Sequence, residues 1–194
     1  MSMLPRSTPQ ERRDDIAARM LAAGYRVDRV KHPLIVVGVR GYYRDTMGKV
    51  GVNDRGIYDD ALFVDSPNAF ASFNGNTDPS RVRNKTAKLH GMAVLIPGVY
   101  YAHRIGRHRM TWPALRQDAG PVRVQRDGDP IVDIGNFWIN IHKGGNTTTS
   151  SEGCQTIPPA QWGAFIALVM SEAQRLWPES WKTKVIPYVL LAGN

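Results

Sequence analysis

Residues 137–157 read Phe-Trp-Ile-Asn-Ile-His-Lys-Gly-Gly-Asn-Thr-Thr-Thr-Ser-Ser-Glu-Gly-Cys-Gln-Thr-Ile, and the rest of the chain is organised around them. The only cysteine of the chain, Cys154, follows Gly153 behind a run of small hydroxyl residues, and His142 lies twelve positions upstream. A thiol needs a base or a positive neighbour to become a thiolate, and an imidazole is the usual supplier. Although a lone cysteine is more often a small buried hydrophobe, the combined pattern predicts a cysteine–histidine nucleophilic site.

The first part of this stretch, residues 137–142, alternates as a strand does. Successive side chains of a strand point to opposite faces. One face would be apolar and suited to a core, with Phe137, Ile139 and Ile141. The other would form the wall of a cleft, with Trp138, Asn140 and His142.

The second part has the composition of a loop that returns the chain to the histidine. Residues 143–149 are rich in glycine and threonine, so we expect them to fold back and bring Cys154 to His142. Gly153 permits backbone angles and close approaches that a side chain would forbid. Backbone N–H groups around Cys154 would then form an oxyanion hole.

Outside this stretch, the sequence predicts a mainly β protein with flanking helices, an α+β fold. Apolar runs bounded by Gly, Pro, Asn and Asp predict strands at 34–39, 61–64, 92–96, 99–103, 122–126, 131–134 and 184–191. Pro97-Gly98 is expected to be the turn of a hairpin, and Pro187 places the last strand near a sheet edge. Residues 40–60 and 72–79 are expected to be loop and turn, with a structural or surface role for Asp59 and Asp60.

Helices are predicted at both ends of the β-rich part. Thr8-Pro-Gln-Glu11 has the form of a capping box, which predicts a helix over 9–23. After Pro158 and Pro159, apolar residues recur with the period of a long amphipathic helix that ends before Pro178 and braces the motif. A single catalytic domain over 1–194 follows, with a helical extension at 1–30, a β-rich core at 34–157 and a bracing helix and final strand at 158–194.

Composition limits the classes of partner. The chain has 194 residues, a formal net charge of +8 and a pI near 9.9, which favours an anionic partner. No zinc-finger spacing or aromatic-basic motif favours nucleic acid. No apolar run is long enough to cross a bilayer, and the N-terminus lacks the apolar core of a secretory signal.

The motif resembles the signature of the L,D-transpeptidase catalytic domain (YkuD-like) family. It is most similar to shorter phage and bacterial relatives with an Ile-His-x-Gly-Asn…Glu-Gly-Cys pattern. The resemblance covers about residues 92–160, including the expected hairpin at Pro97-Gly98. It implies a β-sandwich or barrel-like sheet core and peptidoglycan as the substrate, with no cofactor and no metal.

The resemblance also implies roles for single residues. Cys154 matches the nucleophile, His142 the general base, Gly153 the glycine before the nucleophile, and the backbone carbonyl of Lys143 would orient the imidazole. Ser151 matches the motif hydroxyl. Substrate contacts are expected from Ser151, Trp138, Asn140, Gly144, Gly145, Glu152, Arg104 and Arg109.

Two positions depart from the family pattern. Glu152 stands where the family often has a second histidine, and Thr156 stands where an arginine is common. Arg104, Arg107 or Arg109 would then have to bind a substrate carboxylate.

The expected function is hydrolysis of peptidoglycan stem peptides through a thioester, as in a phage endolysin or a delivered cell-wall effector. A chain without an export signal would be made in the cytoplasm and act in the periplasm or cell wall after release or delivery. L,D-transpeptidation and a non-catalytic wall-binding or virion protein are alternatives. A zinc peptidase built from His90, His103 and His108 is a further alternative, although no His-Glu-x-x-His motif is present.

Overall fold

The structure is a computed structural model and describes residues 2–193. Within them it is mainly β, with helices α1 and α2, so the predicted class, α+β with a β core, is confirmed. The helices are α1 Arg13–Ala22 and α2 Pro159–Leu176. The strands are β1 Ile35–Val39, β2 Asp60–Ser66, β3 Ala69–Gly75, β4 Ala93–Leu95, β5 Gly98–His108, β6 Trp112–Gln117, β7 Val122–Arg126, β8 Val132–Gly135, β9 Ile141–Lys143, β10 Gln155–Ile157 and β11 Ile186–Leu191.

Eight strands form one sheet that nearly closes on itself. Their order is β10-β9-β6-β5-β11-β1-β2-β3. Asn76, directly after β3, forms a two-bond antiparallel bridge with Thr156 of β10, with both N···O distances 2.8 Å. The bridge joins the two edge strands, so the sheet is barrel-like. A smaller sheet has the order β4-β7-β8.

The large sheet buries apolar side chains on both faces at β1, β2 and β11. Its inner face packs with α2 and the small sheet into the main core, which contains Phe165, Tyr188 and Leu115. Its outer face packs against α1 through Ile16, and Phe63 lies in that second cluster. Burial on both sides explains why β1 is a continuous apolar run rather than an alternating one.

The first helix begins later than the sequence predicts. Its N-cap is Arg12, and the Asp15 carboxylate accepts the Arg12 backbone N–H at 3.0 Å, so Asp15 caps the start of the helix and the capping box expected at Thr8–Glu11 is wrong. The preceding segment is bound elsewhere, because the Pro9 carbonyl accepts the hydroxyl of Ser72 at 2.7 Å. This tertiary contact holds residues 8–11 outside the helix.

The hairpin expected at Pro97-Gly98 is wrong. The strands on either side of this step enter different sheets: β4 pairs with β7, and β5 pairs with β6 and β11. Pro-Gly marks a corner between two sheets here, which local turn chemistry does not distinguish from a hairpin.

Two other predictions need correction. The last strand, β11, lies between β5 and β1 in the middle of the sheet, and a register shift between Ile186 and Tyr188 accommodates Pro187 there. The turn expected at 72–79 is wrong over 72–75, which belong to β3 and pair with β2. The prediction for Asp59 and Asp60 left a structural and a surface role open, and their full burial favours the structural one.

The predicted helix after Pro158 is confirmed as α2, which ends at Leu176 before Pro178. Within residues 2–193, neither helix is long and apolar enough to cross a bilayer.

Candidate active site

The cysteine motif lines a cleft of about 410 Å³ between the β5–β6 hairpin and the segment that leads into β9. The lining residues are Arg107, His108, Arg109, Met110, Arg116, Phe137, Trp138, Ile139, Asn140, His142, Ser150, Glu152 and Cys154. Both predicted chemical residues and both predicted wall residues are therefore in one cleft.

The pairing of β9 with β10 brings Cys154 to His142. The two strands are parallel, and His142 pairs with Thr156. Cys154 lies two residues before Thr156, so strand spacings put its Cα about 8 Å from that of His142. Eleven residues, 143–153, separate the two in sequence, but the ladder sets their spatial relation.

His142 is held in one orientation and one tautomer. Its Nδ1 lies 2.8 Å from the backbone carbonyl oxygen of Lys143. A carbonyl oxygen only accepts hydrogen bonds, so Nδ1 carries the proton and Nε2 keeps its lone pair. This contact is the one that the family resemblance implied for Lys143, and it leaves a base in the cleft.

The thiol of Cys154 is partly buried, and its Sγ donates to the Trp138 carbonyl at 3.3 Å. Among the described residues, no hydrogen bond joins it to His142, and the backbone N–H of Cys154 has no acceptor. That N–H is therefore available to a developing oxyanion beside the nucleophile.

Both groups are uncharged at neutral pH. Burial, followed by the neighbouring His108, lowers the pKa of His142 to about 4. Burial also raises the pKa of the Cys154 thiol to about 11, and Glu152 contributes to the rise. The resting site is a thiol beside an imidazole rather than a thiolate–imidazolium pair, so proton transfer must accompany nucleophilic attack.

Ser151 and Gly153 fix the backbone of the nucleophile. The Ser151 hydroxyl donates to the Cys154 carbonyl at 2.7 Å and accepts the Gly153 N–H at 3.0 Å. Gly153 has φ +142° and packs so closely that a Cβ would lie 2.5 Å from the Ala93 carbonyl oxygen. Ser151 was expected to contact the substrate. Ser151 is instead buried, and its hydroxyl is bonded to the backbone of Gly153 and Cys154.

The alternation predicted for 137–142 places the side chains correctly, although only Ile141–Lys143 is a strand. Ile139 and Ile141 are buried in the core, whereas Trp138 is 54% exposed. Trp138 has φ +59°, which is unusual for a bulky residue. The Arg116 guanidinium lies 5.3 Å from the centre of its indole.

Gln117, which sequence reasoning missed, supports this wall. Its buried Oε1 accepts the N–H groups of Phe137 and Ile139 at 3.1 and 2.9 Å, and its Nε2 donates to the carbonyls of Gly120 and Gly135. Gln117 ends β6, which the sequence did not predict as a strand, and the partners of its side chain lie up to 22 residues away, so no sequence signal identifies them.

Asn140 was expected to contact substrate, but its amide is already bonded at both ends. Its Oδ1 accepts the Gln117 N–H at 2.9 Å, and its Nδ2 lies 3.1 Å from Nδ1 of His108. The His108 ring in turn stacks on His142, with centroids 4.0 Å apart and an interplanar angle of 18°. His108 had been considered only as a zinc ligand.

The cationic lining of the cleft differs partly from the prediction. Arg109 lines the cleft as expected, together with Arg107 and Arg116. Arg104, the cross-strand partner of Arg116, does not line it. Glu152 is exposed at the cleft, with its carboxylate 3.9 Å from Arg83.

Gly144 and Gly145 do not line the cleft. A Cβ on Gly144 would lie 2.2 Å from the Tyr58 hydroxyl oxygen, and that hydroxyl donates to the Gly145 carbonyl at 2.7 Å. The two glycines therefore let the loop pack on Tyr58.

The three histidines considered as zinc ligands are not gathered into a site. His103 is fully buried and bonds the Ile139 carbonyl at 2.8 Å, whereas His90 is exposed in a loop and His108 stacks on His142. No group of three or more His, Cys, Asp or Glu within 2–193 is placed to hold a metal ion.

No protein-family model matches the chain, and a comparison with curated proteins finds no match.

Proposed function

We propose that this protein is a cysteine-dependent hydrolase of peptidoglycan stem peptides, with Cys154 as nucleophile and His142 as general base. One observation carries the proposal: the single thiol shares a cleft with an imidazole whose Nδ1–H is fixed on the Lys143 carbonyl, which leaves Nε2 as a base. The resemblance of the motif to the L,D-transpeptidase (YkuD-like) family supports the choice of peptidoglycan.

The reaction would begin from the neutral pair. The thiol leaves the Trp138 carbonyl and gives its proton to Nε2 of His142 as Sγ bonds to the carbonyl carbon of the substrate amide. The displaced electron pair moves to the carbonyl oxygen, where the Cys154 N–H stabilises it. His142 then gives the proton to the departing amine as the C–N bond breaks, leaving a thioester on Cys154.

Water completes the cycle by the same route. It gives a proton to His142 as it attacks the thioester carbon, the C–S bond breaks, and Cys154 recovers its proton from His142. An amine in place of water would give the transpeptidase, which is the alternative outcome for the same thioester.

The cleft suits an anionic peptide. Arg107, Arg109 and Arg116 line it, and Glu152 is the only carboxylate among the lining residues. Stem peptides carry free carboxylates, which guanidinium groups bind in a bidentate manner. The exposed indole of Trp138 offers an apolar platform for the peptide or the sugar.

Digestion of purified sacculi tests the proposal, with released fragments identified by mass spectrometry. Wild type is expected to release stem-peptide fragments, and Cys154→Ala and His142→Ala are expected to release none above background. His90→Ala is the matched control, since His90 is exposed and outside the cleft. Undiminished cleavage by Cys154→Ala would sink the proposal, and fragments joined to an added amine would assign the transpeptidase instead.

A binding measurement accompanies this digestion. If Cys154→Ala and wild type both sediment with sacculi and neither cleaves them, the protein is a non-catalytic wall-binding protein.

A further inference from the structure

His108 stacks on His142 but takes no part in the proposed reaction. His108 comes from the end of β5, 34 residues before His142, yet the two rings lie nearly parallel at 4.0 Å. A hydrogen-bonded chain fixes the position of His108 from the other side.

The Gln117 N–H at the start of that chain fixes which atom donates and which accepts in each of its hydrogen bonds. The Gln117 backbone N–H can only donate, so the Asn140 atom that faces it at 2.9 Å is the amide oxygen. The Asn140 NH2 group therefore faces His108 and donates to its Nδ1 at 3.1 Å. His108 Nδ1 must accept, which places the proton of its neutral ring on Nε2.

This arrangement resists a proton on His108. Protonation of Nδ1 would set an N–H against the N–H of Asn140, and turning the amide would set the Asn140 NH2 group against the Gln117 N–H. Either change leaves a poorly paired donor in a partly buried place, which is unfavourable.

It also resists a proton on His142. The His108 ring covers one face of the His142 imidazole and excludes water that would solvate an imidazolium. If both rings were charged, the two charges would repel each other at a ring separation of only 4.0 Å. The pair therefore takes up at most one proton beyond the two N–H protons of its neutral rings.

We propose that His108 is a positioning residue for His142: fixed by Asn140 as the Nε2–H tautomer, it stacks on His142, holds its ring in place and keeps it an unprotonated base. The importance of this device for catalysis rests on the proposed function. The arrangement of the pair itself does not.

Other charged groups act on the same rings. Burial is the main cause that lowers the pKa of both histidines, and the charge of Arg109 adds to it. The remaining titratable or charged groups that line the cleft are Arg107, Arg116, Glu152 and Cys154, and Lys143 lies beside His142 on β9 with its ammonium over Trp112. Since these groups are the same in every variant below, differences among the variants report on the stack.

NMR titration of the ring Cε1–Hε1 signals tests the inference without any substrate. In His108→Ala the exposed face of His142 regains water, so its pKa is expected to rise by at least about one unit toward the ordinary value near 6.5. His108→Phe keeps an aromatic cover and is expected to hold the pKa of His142 low. An unchanged His142 titration in His108→Ala would overturn the role of the stack.

A second variant tests the direction of the hydrogen bonds and serves if His108→Ala does not fold. In Asn140→Asp, both oxygens accept, so Nδ1 of His108 becomes a donor and the pKa of His108 is expected to rise by about 1–3 units. An unshifted His108 in this variant would show that Asn140 does not hold it. Sacculus cleavage is measured separately. A failure of the positioning role proposed for His108 and a failure of the hydrolase proposal therefore give different results.

Discussion

Replacement of Gly153 by alanine tests whether the glycine before the cysteine is required by packing. The new Cβ would lie 2.5 Å from the Ala93 carbonyl oxygen and 2.8 Å from Ile139 Cδ1. The backbone at φ +142° adds a strain of about 1–3 kcal/mol, and the forced shift of β4 adds about 1–3 kcal/mol. We expect the free energy of unfolding to fall by about 3 kcal/mol.

Two other glycines separate the causes. Gly24 has φ +73° with no atom within 4 Å of a built Cβ, so Gly24→Ala adds strain without a clash, for a loss of about 1 kcal/mol. Gly163 lies on the exposed face of α2 with no atom within 4 Å, so Gly163→Ala should stabilise the helix by about 1 kcal/mol.

Equilibrium urea unfolding measures all three variants. With an m-value of about 2 kcal/mol/M, the Gly153→Ala midpoint should fall by about 1.5 M. The fall in the midpoint should be larger for Gly153→Ala than for Gly24→Ala. Gly163→Ala should raise the midpoint. A Gly153→Ala midpoint at or above that of wild type would refute the packing account of the motif glycine.

Three further results are expected. Gln117→Leu leaves the N–H groups of Phe137 and Ile139 without an acceptor, so it should lower the free energy of unfolding in urea by about 3 kcal/mol. Gln125→Leu, at an exposed position, should leave that free energy nearly unchanged. Equal losses in the two variants would contradict the supporting role of Gln117. The acid limb of kcat/KM should lie near pH 4, because burial lowers the pKa of His142 to about 4 and only the unprotonated ring is a base; a limb at pH 6–7 would contradict this. Burial raises the pKa of Asp59 to about 8, so the folded state binds more protons than the unfolded state above pH 4, and its stability should fall as the pH rises from 5 to 8. Asp59→Asn should flatten that fall, and an unchanged pH profile of urea unfolding would contradict the assignment.

Local chemistry predicts well where a residue's neighbours in sequence are also its neighbours in space. The apolar stripe after Pro158 predicts α2, because a helix buries the face that its own 3.6-residue period creates. The side-chain alternation of 137–142 likewise predicts that Ile139 and Ile141 enter the core. That prediction holds even though Trp138 leaves the strand conformation.

Pairing between distant segments is where sequence prediction fails. Pro97-Gly98 has the local signature of a hairpin turn, but the partners of β4 and β5 lie elsewhere in the chain. Pro187 has the signature of an edge strand, but a bulge makes room for it in the middle of the sheet. In both cases the outcome depends on which distant strand offers free hydrogen-bonding groups and an apolar face.

By itself the sequence determined the β-rich class, the long second helix, the basic charge, and the presence of one thiol and one histidine in a shared motif. Only the tertiary structure decided what surrounds them. The ladder of β9 and β10 sets Cys154 beside His142, the β5–β6 hairpin brings His108 onto the ring, and Gln117 fixes Asn140. These contacts join residues far apart in the chain, and hydrogen-bond direction, burial and pKa arise only once the sheet has closed around them.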